Sequence, residues 1–262
     1  MLRNGGRSSY ESLQAQYRRR LSRGLQALVS YTLGHSVDDV SSDGNYQNVP
    51  PSASSYRSEK GPSDYDIRHT FSGAVSYEIP GAGSGALKAV LENWSIDSIL
   101  YSRSAPPVNV VTGNNPFGGA LSGVSSVQRP DVVPGVPFYL DRPGAPGGKV
   151  INPAAFSAPS AVQGSLGRNA LRGFGATQWD MTLRRQFRMA GGVSLQGRVD
   201  FFNVLNHPNF GSPINYLSSP QFGQATQMLN NSLGGGGQSG GLSPIYQIGG
   251  PRSIQLAVRL QF

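Results

Sequence analysis

The sequence contains no cysteine, which excludes disulfide bonds, thiol catalysis and thiolate metal sites. It also contains no run approaching the roughly 18 consecutive apolar residues of a membrane-spanning helix. A helical membrane protein is therefore excluded. A membrane β-barrel is not, because its strands are short and only half apolar.

Hydrophobic residues make up 37% of the 262 residues, and mean hydropathy is −0.29. With 35 glycines and 19 prolines, much of the chain is expected to be turn and loop. The first residues, "MLRNGGRSSYES", have no apolar segment, so we predict that the sequence carries no signal peptide.

The chain is basic, with a formal net charge of +8 and 22 lysines and arginines against 14 acidic residues. A basic chain raises the possibility of nucleic-acid binding. The arginines are scattered, however, and no helix-turn-helix, zinc-finger or RNP pattern is present. We therefore expect no nucleic-acid partner.

The clearest pattern is a period of two at the C-terminus, where Ile254, Leu256, Val258, Leu260 and Phe262 alternate with more polar residues. Such a strand has one apolar and one polar face. It suits an antiparallel sandwich, or a membrane barrel with its apolar face toward lipid and its polar face toward the lumen. Similar alternation predicts strands at 13–21, 25–33, 69–79, 93–101, 179–189, 193–202 and 253–262.

The connections between these strands favour the barrel. Short turns at 22–24, 80–85 and 190–192 alternate with long loops at 34–67, 102–175 and 203–251. Strict alternation is typical of outer-membrane barrels, which have tight periplasmic turns and long extracellular loops. We therefore predict an all-β fold: an antiparallel transmembrane β-barrel segment of about seven strands. Bacterial single-chain barrels have an even strand number of eight or more, so these strands are expected to belong to a larger barrel.

Arginines follow the two predicted faces. Arg19 and Arg185 fall on the lipid face near predicted turns, where a guanidinium can extend to the headgroups. Acidic residues on the luminal face, such as Asp97 and Asp200, are possible ion-pair partners for the luminal arginines. The arginines predicted to line the lumen are Arg18, Arg20, Arg184, Arg188, Arg198 and Arg259.

Several segments resemble one known family. The segment "RVDFFNVLNHPNFGSP" (198–213), with "FGQAT" (222–226) and the terminal "PRSIQLAVRLQF", is similar to the C-terminal end of TonB-dependent outer-membrane receptors. The closest similarity is to Oar-like members, which carry a carboxypeptidase-regulatory-like module. Further matches are "YESLQAQYRRRLSRGLQALVSYTLGHSVDD" (10–39), "SDYDIRHTFSGAVSYEIP" (63–80) and "GSLGRNALRGFGATQWDMTLRRQF" (164–187).

The resemblance implies that residues 1–262 are the C-terminal part of a barrel of about 22 strands, located in the bacterial outer membrane. It implies that the family's signal peptide, plug and TonB-contacting segment are absent from this sequence, so that TonB would be contacted only through that missing part. It also implies that Phe262, with Leu260 and Val258, is a signal for the barrel-assembly machinery. A packing role in the aromatic girdle remains the alternative for Phe262.

The functional expectation is energised uptake of an extracellular solute. The alternatives are a small autonomous porin or adhesin barrel, and a secreted β-sandwich binding module. No catalytic motif is supported, so we expect neither an enzyme nor a cofactor. Asp39, Ser41 and Asp43 have the opening spacing of a calcium loop, but Pro50 stands where a bidentate Glu is required. An Asx-rich surface turn explains the same residues.

Overall fold

The computed structural model describes residues 6–39, 41, 59–81, 92–113, 128–160, 163–232 and 248–262. Its strands, in chain order, are β1 (Ser8–Ser22), β2 (Leu25–Asp38), β3 (Gly61–Pro62), β4 (His69–Glu78), β5 (Trp94–Arg103), β6 (Pro107–Val108), β7 (Asp131–Val132), β8 (Tyr139–Asp141), β9 (Lys149–Ile151), β10 (Phe156–Ser157), β11 (Leu171–Arg172), β12 (Ala176–Arg188), β13 (Ser194–Phe202) and β14 (Ser253–Gln261). Short 3₁₀ turns lie at Pro146–Gly148, Pro153–Ala155 and Ala190–Gly192, and an α-helix, α1, at Leu229–Ser232. None of the helices in this part of the chain is long and apolar enough to cross a membrane.

The long strands form one antiparallel sheet in the order β1-β2-β4-β5-β12-β13-β14, with β3 paired to the end of β2. Each long strand therefore pairs with the next long strand along the chain, and β1 and β14 are the two edges. The all-β class and the antiparallel arrangement predicted from the alternation are confirmed.

Four strands, β1, β2, β5 and β12, extend further on the loop side than the apolar pattern predicted, and β1 and β2 extend furthest. β1 begins at Ser8 rather than at 13, and β2 ends at Asp38 rather than at 33. The extra residues are mostly polar, yet Ser8 still pairs with Asp38. Apolar alternation marks only the part of a strand with an apolar face, whereas backbone pairing continues beyond it.

The sheet has two chemically distinct faces, because directly opposed residues in neighbouring strands lie on the same side. One row on the apolar face is Tyr77, Ile96, Leu183, Val199 and Leu256. The corresponding row on the polar face is Ser76, Asp97, Thr182, Asp200 and Gln255.

The apolar face is not covered by another layer of the described chain. On β14, Leu256 is 75% exposed and Val258 is 76% exposed. A β-sandwich buries such a face against a second sheet. Exposed apolar side chains on strand after strand are instead what a lipid-facing surface requires.

The turn between β1 and β2 is the two-residue Arg23–Gly24, with φ values of 52° and 77°. Positive φ at both central residues is the geometry of a hairpin turn that matches strand twist. The Gly24 carbonyl also accepts a 2.7 Å hydrogen bond from the Glu78 backbone N–H, which ties this turn to the end of β4.

The buried core of the described chain lies outside the long sheet. It is formed in the loop cap, which we define as residues 59–68, 104–113, 128–160, 163–175 and 203–232. Its buried apolar side chains are Val108, Val110, Ile151, Ala155, Phe156, Leu166, Leu171 and Phe222.

Within the cap, β6 pairs with β11, β7 with β10, and β8 with β9. The region 102–175, predicted as one long loop, is therefore folded in its described parts. Strands of two or three residues are too short to leave a periodic signal in the sequence. Val110 lies in this region and is fully buried in the cap.

Candidate functional site

The polar face carries two groups of hydrogen-bonded side chains, one between β4, β5 and β12 and one between β12 and β13. Ser76 donates to Asp97 Oδ1 at 2.6 Å, and Thr182 donates to Asp200 Oδ1 at 2.5 Å. Arg184 Nε lies 3.2 Å from Asp97 Oδ2, and Arg198 Nε lies 2.7 Å from Asp200 Oδ1. Arg184 is thus paired with Asp97, and Arg198 is paired with Asp200. Partly exposed pairs of this kind contribute little to stability, about 0–1 kcal/mol each.

The other predicted luminal arginines are placed by the strand register. Arg188 lies opposite Ser194, and Arg259 lies opposite Gln196, both on the polar face. Arg18 lies opposite Leu28 on edge strand β1. Arg20 falls in the irregular pairing between Arg19 and Ser22, where strict alternation is broken.

A second group of charged residues holds the loop cap to the end of β2. Arg168 forms an ion pair with Asp38, and both side chains are buried. The same guanidinium donates to the carbonyls of Asp38 at 2.6 Å and Glu59 at 2.9 Å, and to Ser41 Oγ at 3.1 Å. One buried arginine therefore joins segments separated by more than 100 positions in sequence.

A similar contact lies beside it. Arg129 makes a bidentate pair with Glu59, at 2.6 and 3.2 Å, and donates from Nε to the Leu166 carbonyl at 2.9 Å. Both charged side chains are almost fully buried. The bidentate fork gives this pair a defined geometry as well as charge compensation.

Asp66 is the centre of a third contact. It pairs with Arg172, accepts the Ser36 backbone N–H at 2.8 Å, and lies 3.0 Å from His35 Nδ1. Burial by itself would raise the pKa of Asp66. The hydrogen bonds from Arg172, Ser36 and His35 outweigh burial and hold the pKa below its usual value. Asp66 is therefore ionised under ordinary conditions.

We refer to the pairs Arg168–Asp38, Arg129–Glu59 and Arg172–Asp66 as the clasp. In each pair the arginine comes from the 102–175 region and the carboxylate from the 34–67 region. Asn169 adds a hydrogen bond to Asp64 Oδ1 at 2.6 Å and another to the Pro62 carbonyl at 2.8 Å. The clasp joins the described parts of these two regions to each other at one end of the sheet.

The motif "NVLNHPNFG" forms a buried network where β13 leaves the sheet. Asn203 accepts the His207 N–H at 3.0 Å and donates to the Gly250 carbonyl at 2.9 Å. Asn209 accepts the Thr177 N–H at 2.7 Å and donates to the Thr177 carbonyl at 3.0 Å. These side-chain amides form hydrogen bonds with backbone groups, and burying those groups without a partner would cost free energy. In the described residues the motif acts as a structural joint between β12, β13 and the start of β14.

The calcium-loop candidates are used in other contacts. Asp39 Oδ2 accepts the Arg7 N–H at 3.2 Å, and Ser41 donates to the Asp38 carboxylate. Asp43 lies outside the described residues. Among the residues that the structure describes, no group of three or more His, Cys, Asp or Glu side chains is arranged to hold a metal ion.

The terminal residues Val258, Leu260 and Phe262 lie on the apolar side at edge strand β14. Phe262 is fully exposed. The described residues provide no packing site for its side chain.

Sequence reasoning did not identify the three clasp arginines as a group. Arg129, Arg168 and Arg172 lie in a Pro/Gly-rich region without periodicity, and their carboxylates lie 70 to 130 positions away. The sequence offered one indication of such pairing: Asp and Glu are concentrated in 34–67, and two of the arginines lie in "GRNALRGF" (167–174). Such a signal suggests pairing but does not specify the partners.

Comparison with known proteins places the sequence in a family. A family model described as outer membrane beta barrel domain matches residues 1–255. Neither the curated proteins nor the solved structures yielded a significant match. The chain therefore belongs to the outer membrane β-barrel domain family, and it lies in the bacterial outer membrane.

Proposed function

We propose that this chain is the C-terminal barrel portion of a TonB-dependent receptor that takes up a solute across the outer membrane. The solute would be captured at the loop cap and would pass along the polar face. The energy would be relayed by TonB through a part of the receptor that these residues do not include.

The loop cap is the observation that carries the proposal. An ordered external surface suits a receptor, because binding sites for small solutes are usually largely formed before the solute arrives. The clasp supplies that order through three ion pairs in which both carboxylate and guanidinium are mostly withdrawn from water. The similarity of 198–213 to TonB-dependent receptors supports the same function.

The polar face supports the proposed path of the solute through the barrel. We assign Arg184, Arg188, Arg198 and Arg259 to the lining of the solute path near the periplasmic end. A cavity of about 490 Å³ lies there, lined in part by Glu78, Arg184, Arg188 and Gln196. We assign Val258, Leu260 and Phe262 to recognition by the barrel-assembly machinery.

The proposal requires a longer receptor that carries these residues at its C-terminus, so the test uses that full-length receptor, purified from outer membranes in mild detergent. The probe is the isolated C-terminal periplasmic domain of TonB, immobilised for surface plasmon resonance. A TonB-dependent receptor binds this domain, whereas a porin or adhesin does not. Absence of binding, together with steady ion conductance in a planar lipid bilayer, would overturn the proposal in favour of the porin.

A further inference from the structure

The cavity of about 490 Å³ on the polar face lies at the end of the sheet that carries the short turns. Its walls come from the end of β4, the start of β5 and the residues just before it, the last residues of β12, and one residue of β13. Its volume is within the range of about 300–1,000 Å³ that is usual for small-molecule sites. Among the side chains that line it are Glu78, Glu92, Arg184, Gln186, Arg188 and Gln196.

The two carboxylates of the cavity come from the same side. Glu78 is the last residue of β4, and Glu92 lies two residues before β5 begins. A Cβ atom placed on Gly81 would lie 3.1 Å from the Cβ of Glu92, so Glu92 stands beside the chain that leaves β4. Neither carboxylate has an ion-pair partner among the residues that the structure describes. This side of the cavity therefore suits a cationic group.

A guanidinium group lies on the other side. Arg188 is the exposed last residue of β12, and it has no ion-pair partner within the described part of the chain. Arg184 differs, because it is already bonded to Ser95 and Asp97. Arg188 is therefore the guanidinium available to a carboxylate, which it can hold through two parallel N–H···O hydrogen bonds.

Two side-chain amides lie on the same side of the cavity as Arg188. Gln186 and Gln196 are directly opposite each other on β12 and β13, and neither side chain is hydrogen-bonded to another described residue. A glutamine amide has both donor hydrogens and an acceptor oxygen. It can therefore pair with the N–H and the carbonyl of a peptide group.

The width of the cavity favours a short peptide over a single amino acid. Neighbouring strands are about 4.8 Å apart, so β4 and β12, with β5 between them, are separated by roughly 10 Å. An extended chain spans about 3.3–3.6 Å per residue, and a tripeptide is therefore about 10 Å long. A single amino acid carries its ammonium and carboxylate on one carbon atom and cannot reach both sides.

We propose that this cavity binds an extended peptide of about three residues with free termini. The peptide ammonium donates hydrogen bonds to Glu78 and Glu92, and the peptide carboxylate accepts them from Arg188. Gln186 and Gln196 bond the peptide groups between the termini. This inference names the class of solute for the transport function proposed above, and it rests on that function.

The experiment is isothermal titration calorimetry of the full-length receptor that carries these residues at its C-terminus, purified from outer membranes in mild detergent. The probes are trialanine, N-acetyl-trialanine, trialanine amide and alanine. Trialanine should bind, and blocking either terminus should weaken binding about tenfold, the effect of losing one charge-assisted hydrogen bond. Alanine should bind more weakly than either blocked peptide. Equal affinity for trialanine and its blocked forms, or no binding of trialanine, would overturn the proposal.

Variants assign each peptide terminus to its side of the cavity. Arg188→Gln should weaken trialanine binding about tenfold but leave the affinity for trialanine amide unchanged, because that peptide has no carboxylate to lose. Glu78→Gln combined with Glu92→Gln should weaken trialanine and leave N-acetyl-trialanine unchanged. Arg103→Gln, at the opposite end of β5 on the same face, is the matched control and should bind trialanine as wild type does. An equal loss for free and blocked peptides would contradict these assignments.

Binding of the TonB periplasmic domain by the same preparation separates this inference from the transport function. A receptor that binds TonB but not trialanine would overturn the peptide site and leave the transport function standing. A receptor that binds trialanine but not TonB would support the peptide site and overturn uptake through TonB. Heat-modifiable migration on a gel shows whether each variant is folded. Should a variant fail to fold, the comparison of free and blocked peptides on wild type decides the proposal.

Discussion

Arg168 and Asp38 form a buried ion pair between residues 130 positions apart in sequence. This single contact links the end of β2 to the middle of the loop cap. Because both groups are withdrawn from water, each depends on the other for charge compensation. Removing one partner leaves a buried charge, which costs more than the loss of one hydrogen bond.

The first prediction concerns this pair. Arg168→Ala should destabilise the loop cap by about 3–5 kcal/mol, the usual effect of breaking a buried pair. Hydrogen–deuterium exchange should show faster exchange in 59–68 and 163–175, while β12 and β13 remain protected. The double variant Arg168→Ala with Asp38→Asn should recover part of the loss, because no uncompensated charge remains. Unchanged exchange in the cap would show that the clasp does not order it.

The second prediction concerns pH. The pKa of Asp66 is lowered in the folded protein, since hydrogen bonds from Arg172, Ser36 and His35 outweigh its burial. The folded state therefore binds a proton on Asp66 less readily than the unfolded state does, and ionised Asp66 stabilises the folded protein. This stabilisation is complete above the unfolded pKa of about 3.9, and it is lost as pH falls through the folded pKa. The cap should therefore lose protection only in strongly acidic solution.

Asp66→Asn provides the comparison for that experiment. It keeps the size of the side chain but removes the titration, so its cap should be less protected at neutral pH and should change less on acidification. Exchange of 59–68 measured at pH 7 and pH 3 in both proteins gives the result. An acid response of the same size in wild type and Asp66→Asn would assign the titration to another group.

The third prediction concerns the β1–β2 turn. Gly24 has a φ of 77°, and a Cβ atom there would lie 2.6 Å from the Glu78 carbonyl oxygen. Gly191 has the same φ of 77° but has nothing within 4 Å of a Cβ position. An alanine at either position incurs a backbone cost of about 1–2 kcal/mol, and only at Gly24 is a steric clash added. The fraction of heat-modifiable protein should fall more for Gly24→Ala than for Gly191→Ala.

The fourth prediction concerns the asparagine network. Asn209 is fully buried, and its amide bonds both the N–H and the carbonyl of Thr177. Asn209→Ala leaves these groups without those partners, at a cost of about 1–3 kcal/mol per group. The free energy of unfolding in urea and lipid vesicles should fall by that order. His207→Ala, at an exposed position of the same motif, should have little effect.

The fifth prediction concerns the terminal phenylalanine. Phe262 is fully exposed, so Phe262→Ala removes few packing contacts. A reduced amount of protein in the outer membrane, with unchanged stability of the protein that is inserted, would identify recognition during assembly. Gln261→Ala is the control. Equal membrane levels for Phe262→Ala and wild type would contradict the role as an assembly signal.

The sequence by itself determined the long strands and their two faces. Alternation in β12 and β14 is a local property, because side chains on a pleated strand point to opposite faces whatever the rest of the chain does. The turn at Arg23–Gly24 was predictable for the same reason, since a two-residue hairpin imposes its own backbone angles. The position of Arg185 on the apolar face also followed from alternation alone.

Only the tertiary structure decided the loop cap. The pairing of Arg129 with Glu59 depends on how two irregular segments fold against each other, and strands as short as β6 and β11 leave no periodic pattern. A charged side chain in a loop looks the same in sequence whether it is solvated or buried. What distinguishes Arg168 is the set of partners that surrounds it, and those partners come together only when the whole chain has folded.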